Sequence, residues 1–173
     1  MFDHTTRETA HWADDVQRGD VVLFRFPVRG SQAANGMPVT RPCLVMEVDG
    51  EGENRRLVLA YGTSRIAATN TGYDIAVKRT ELRAAGMTRP TRFIGARLLS
   101  VSPNHSGLMT GDLGTPVLGR LTGESLDRMH WVRGRLHAEH DIAAERRREN
   151  TPRTVMVEHR ARRKANPGRP KAA

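Results

Sequence analysis

The chain has 173 residues, 38% of them hydrophobic, and 28 Lys and Arg against 19 Asp and Glu give it a formal net charge of +9. That length fits one domain plus a tail, and the hydrophobic share fills only a modest core. The lone Cys43 excludes an intrachain disulfide and fits a reducing, cytoplasmic setting. The opening residues lack the basic start and apolar run of a signal peptide, and no apolar stretch approaches the roughly 20 residues that span a bilayer, so no membrane association is expected.

The charge is unevenly placed. From Arg146 to Ala173 there are ten Lys and Arg and two Glu, a balance of +8, whereas the preceding residues carry 18 and 17, a balance of +1. A tail of that kind concentrates polyanions by counterion release but names no chemistry.

In chain order, residues 1–17 show no clear period and read as an N-terminal extension in which Trp12 is the anchor. Arg18-Gly19-Asp20 leads into Val21–Phe26, a β-branched and aromatic run ended by Pro27. At period 2, Val22, Phe24 and Phe26 share one face and Val21, Leu23 and Arg25 the other. Residues 28–40 form a long Gly- and Pro-containing loop, a kind of segment that often carries function. Cys43–Val48 and Arg56–Tyr61 are the second and third strands, joined through Asp49-Gly50 turn chemistry. After a loop over 62–71 come a short strand at Asp74–Val77, a short helix from Thr80 to Ala85 closed by Gly86, and a strand at Thr91–Val101. A loop at 102–111 and an edge strand at Pro116–Leu118 follow. Leu126, Met129, Val132 and Leu136 then recur at helical spacing and predict an amphipathic helix over Glu124–Arg148. Residues 149–173 read as a basic, disordered tail. The expected fold is mostly β (α+β): a small barrel over 18–148 with a short inserted helix and a C-terminal helix against it.

The sequence holds no zinc, phosphate-loop, nucleophile-elbow or dinucleotide motif. His137 and His140 lie three apart without an evident third ligand and read as a solvated helix face. The distinctive residues sit where loops meet strands. In an antiparallel hairpin the start of one strand lies beside the end of the next, so Arg41 and Thr63 are expected to meet at one end of the barrel. A fixed guanidinium beside a hydroxyl and a glycine-opened backbone suits a phosphate. Taken singly, Thr63 reads as a turn-capping residue and Gly62 as a turn glycine. Asp20 is expected to fix the entry turn of its strand and Cys43 to be a small buried residue. His105 is expected to be an unpaired surface histidine. Trp12 and Trp131 are expected in the core or at a dimer interface.

Gly19-Asp20-Val21, Arg41-Pro42-Cys43-Leu44-Val45 and Tyr61-Gly62-Thr63-Ser64, in this order, resemble the MazF/PemK toxins of toxin–antitoxin systems. Ala85-Gly86-Met87 and Pro90-Thr91-Arg92-Phe93 resemble a subset of the same family, and the likeness covers roughly residues 18–101. It implies a homodimeric SH3-like barrel. Such a barrel cleaves single-stranded mRNA without metal or cofactor, by attack of the ribose 2′-hydroxyl on the adjacent phosphate. A cognate antitoxin protein is the implied partner. It assigns catalysis to Arg41 and Thr63, and RNA contacts to Gly30, Ser31 and Gln32 in the long loop and to Gly62, Ser64 and Arg65 after the third strand. Family members often carry a glutamate after the loop glycine; here Ala33 and Ala34 follow Gln32. That departure keeps a second class open, a non-catalytic module that binds nucleic acid or protein and draws affinity from the tail.

Overall fold

The computed structural model describes residues 12–25, 39–65 and 72–150. They form a short helix α1 (Trp12–Asp15), strands β1 (Asp20–Arg25), β2 (Thr40–Asp49), β3 (Arg56–Thr63), β4 (Asp74–Ala76), β5 (Arg92–Val101) and β6 (Val117–Arg120), and a long helix α2 (Gly123–Glu149). The strands make one antiparallel sheet in the order β4-β5-β3-β2-β1-β6, curled into a half-barrel. The mostly-β expectation with one C-terminal helix therefore holds at that level. No helix among the described residues is long and apolar enough to cross a membrane.

Both faces of the sheet are buried, and the strands alternate between two cores. Val21, Leu44, Met46, Ala60 and Phe93 join Met129 and Val132 of α2 on one face. Val22, Phe24, Cys43, Val45, Leu57 and Leu59 pack with Val16, with Trp12 against them, on the other. A strand covered on both faces needs no polar alternation. That accounts for the near-continuous apolar runs CLVM and LVLAY. The expected split of β1 holds for Val21 against Val22 and Phe24, while Phe26 lies outside the described residues, as do Gly30, Ser31, Gln32 and the tail beyond Asn150.

Two expectations need correcting. Residues 79–86 are a run of hydrogen-bonded turns and not a helix: Ala85 N–H reaches Glu81 O, but Gly86 N–H reaches Arg83 O and Met87 N–H reaches Leu82 O. Six residues give too few helical bonds to offset nucleation, and Gly86, at φ 68°, ends the run at once. The run serves instead as a cover for the sheet edge, where Arg120 N–H donates to Ala84 O at 2.9 Å. The amphipathic character of α2 is confined to its first half. Met129 and Val132 are buried and Leu126 and Leu136 partly so, but from His137 onward every residue except Ala144 is exposed.

Side chains lock α2 to the sheet. Thr122, at its N-cap, makes no capping bond, and the Glu81 carboxylate takes that role, accepting from Glu124 N–H at 3.0 Å and Ser125 N–H at 3.1 Å. Arg128 donates to the Asp74 and Gly72 carbonyls beside β4. Glu47 on β2 takes Arg18 at 3.3 Å, Arg133, and His137 at 3.5 Å, tying the approach to β1 and two turns of α2 to one carboxylate. Asp20 is buried, accepting from Gln17 N–H at 2.8 Å and Arg120 Nε at 2.6 Å, and so fixes the entry to β1 as expected.

Candidate phosphate-binding site

The β2–β3 ladder pairs Leu44 with Ala60 and Cys43 with Tyr61. Carried one and two residues further, this register sets Pro42 beside Gly62 and Arg41 beside Thr63. The strands are longer than the sequence suggests: β2 starts at Thr40 and β3 runs to Thr63, so both residues stand on strands and not in the flanking loops. Both line an open pocket of about 380 Å³ together with Ser64, Met87, Arg89 and Thr91.

Gly62 is what lets the strands approach here. It is a strand glycine, not a turn glycine. A β-carbon built on it would fall well inside 3.0 Å of the Pro42 carbonyl oxygen and at 3.0 and 3.2 Å from ring carbons of Phe93. Pro42, without an N–H of its own, pairs with Leu23 of β1 on the opposite side.

Arg41 is half-buried, with its guanidinium carbon 5.5 Å from the centroid of the Tyr61 ring. Its Nε is buried and has no hydrogen-bond partner among the described residues. Leaving a charged donor in that condition costs more than the roughly 1–3 kcal/mol of a neutral one. Thr63 is buried, 7% exposed, and its Oγ1 accepts the Arg65 backbone N–H at 3.1 Å. It therefore does close a turn, as a threonine in this position would on its own, yet that bond uses only the oxygen, and the hydroxyl proton is still available to donate.

Ser64 lines the pocket, whereas the Arg65 side chain is exposed outside its wall, with its carbonyl accepting from Arg92 Nη2 at 3.1 Å. Arg92 also pairs with Asp74 at 2.8 Å, which pins the β4–β5 end next to the pocket. Sequence reasoning missed the opposite wall. Gly86 turns the chain so that Met87, Thr88, Arg89 and Thr91 face Arg41, and Thr91 Oγ1 donates to Arg89 O at 3.0 Å. The available signal was a short polar and basic stretch held between Gly86 and Pro90.

The lining carries the cations Arg41 and Arg89 and no carboxylate or imidazole among the described residues. Burial pushes the nearby Cys43 thiol up to about 12, against the weaker opposing pull of the Gly62 backbone and the Arg41 charge, so it is a protonated core residue and not a nucleophile. His105 is exposed and outside the pocket, but not unpaired: its Nδ1 accepts from Gly107 N–H at 2.9 Å. Trp131 is 53% exposed and stacked by Arg128 at 4.4 Å, which corrects its placement in the core. No group of metal-ligating side chains occurs among the described residues, and His137 instead faces Glu47. No protein-family model matches the chain, and no curated protein matches it.

Proposed function

We propose that this chain is a metal-independent endoribonuclease toxin on an SH3-like barrel, working as a cytoplasmic homodimer held in check by an antitoxin protein. The observation that carries the reading is that Arg41, whose Nε is buried without a partner among the described residues, and Thr63 line one pocket. The 2′-oxygen of a ribose attacks the adjacent phosphorus, a P–O2′ bond forms and the P–O5′ bond breaks. The 2′-hydroxyl loses its proton, the 5′-oxygen gains one, and the products are a 2′,3′-cyclic phosphate and a 5′-hydroxyl. No water or redox partner is consumed. Negative charge builds on the non-bridging oxygens during attack, and Arg41, half-buried and held over the Tyr61 ring, meets it with little reorganisation. The Thr63 hydroxyl donates a hydrogen bond to a phosphate oxygen and so helps set the line of approach. Arg89 adds positive potential at the pocket mouth.

The test is cleavage of long single-stranded RNA in the presence of a chelator. Arg41→Ala is expected to lose about 10²–10³-fold in rate without a fall in Tm, because Nε makes no bond to lose and its removal relieves a buried, unpaired donor. Absence of cleavage by the wild type, or full activity of Arg41→Ala, refutes the assignment. One observation favours the second reading, a non-catalytic nucleic-acid-binding module: no proton acceptor of the usual kind is among the described lining residues. In that case removing residues 149–173 abolishes binding and its salt dependence together, whereas a catalytic barrel keeps cutting without them.

A further inference from the structure

A second guanidinium stands on the ring that holds Arg41. The guanidinium carbon of Arg97 is 5.9 Å from the Tyr61 centroid, against 5.5 Å for Arg41, so the two carbons lie no more than about 11 Å apart. The two residues are 56 positions apart in sequence, and a bulge in β5 brings them together. Ala60 pairs with Leu98 and the next residue, Tyr61, pairs with Ile94, which leaves Gly95, Ala96 and Arg97 without partners on β3. Gly95 is drawn inward: its N–H donates to Tyr73 O at 2.9 Å, and a β-carbon there would strike Val132 of α2. The excursion must therefore swing outward, and Ala96, Arg97 and Leu98 are all exposed. Bulges of this kind re-aim a side chain, and here the side chain is a cation with no ion pair or hydrogen bond among the described residues, set over the Tyr61 ring.

We propose that Arg97 binds the phosphodiester next to the scissile one, so that Arg41, Tyr61 and Arg97 form a two-phosphate track for single-stranded RNA. This rests on the reading of Arg41 as the centre of the reaction. Tyr61, 5% exposed, is too covered to stack a base; it is a positioning residue whose ring holds both guanidinium groups. The ladder of Arg128, Trp131 and Arg135 on α2 is a weaker candidate for such a track, because Arg128 is spent on backbone carbonyls and Arg135 on Glu139.

The experiment compares a dinucleoside monophosphate, which has only the scissile phosphate, with a trinucleotide that has a neighbouring one. Arg97→Ala is expected to lower kcat/KM on the trinucleotide about tenfold, through KM, and to leave the dinucleotide unchanged, with Arg97→Lys recovering most of the loss. Arg41→Ala is expected to lower kcat on both. Binding of an all-2′-deoxy oligonucleotide, which has no attacking hydroxyl, should lose about 0.7 of its log–log salt slope in Arg97→Ala. Equal loss on the two substrates, no loss on either, or an unchanged slope overturns the proposal. If the wild type binds the deoxy oligonucleotide but cleaves nothing, the catalytic reading falls while the salt slope still decides the Arg97 contact. If it does not bind at all, both fall.

Discussion

Substituting Gly62 by alanine probes the site and the fold at once. A single methyl group would enter the space between β2 and β3 at the level of Arg41 and Thr63. It would meet the Pro42 carbonyl oxygen well inside 3.0 Å, where ordinary contact begins near 3.4 Å, and would press on the Phe93 ring, which is fully buried. A flexible side-chain tip could yield, but Pro42 is backbone in a strand flanked on both sides by neighbours, and Phe93 has core on all sides. Overpacking of this kind costs about 1–3 kcal/mol, and the backbone clash puts Gly62→Ala at the upper end. At about 3 kcal/mol, and roughly 2–4 °C per kcal/mol for a chain of this size, Tm should fall by about 6–12 °C. The strands would also have to separate by an appreciable fraction of an ångström where the two proposed catalytic residues lie on neighbouring strands. Misplacement by about 1 Å can cost on the order of 10²-fold in rate. The assay is thermal unfolding by circular dichroism, with RNA cleavage measured well below both midpoints. A Gly62→Ala protein that melts with the wild type refutes the close approach of the two strands. One that is destabilised but cleaves normally refutes the claim that this approach sets the site.

The same substitution at Gly134 should act in the opposite direction. That glycine lies on the exposed face of α2, and a β-carbon there meets nothing within 4 Å, so Gly134→Ala is expected to stabilise by about 1 kcal/mol and raise Tm by about 2–4 °C. A fall in Tm would place that face against something. The Cys43 thiol, at about 12 in the folded chain against an ordinary 9.0, contributes stability that is complete below pH 9 and is lost as pH rises from 9 toward 12. Cys43→Ala should therefore flatten part of the alkaline loss of stability measured by denaturant unfolding. At pH 8 about one folded thiol in 10⁴ is ionised, and a disulfide reagent should label the native protein far more slowly than the denatured one; fast native labelling would contradict the burial.

The spacing of Leu126, Met129, Val132 and Leu136 was enough to identify α2, because a helical stripe is a local property of the chain. The β-branched and aromatic runs located β1, β2, β3 and β5 for the same reason. Hairpin logic placed Arg41 beside Thr63, since neighbouring strands joined by a short turn leave little freedom of register. The sequence could not show that the stripe would cover only half of α2, because contact ends where the sheet ends. Nor could it tell that residues 79–86 would spend their backbone bonds on a sheet edge and not on a helix. Gly62 read as a turn glycine until the Pro42 carbonyl stood opposite it. The pocket wall at Met87–Thr91 and the Arg97 bulge come from segments far along the chain, and neither has a periodicity of its own. What the sequence by itself determined was a β-rich chain with one terminal helix and an arginine and a threonine at a hairpin's end. Only the tertiary structure decided that the Arg41 Nε is buried without a partner and that Arg97 shares its ring, because burial and long-range register depend on which strands become neighbours.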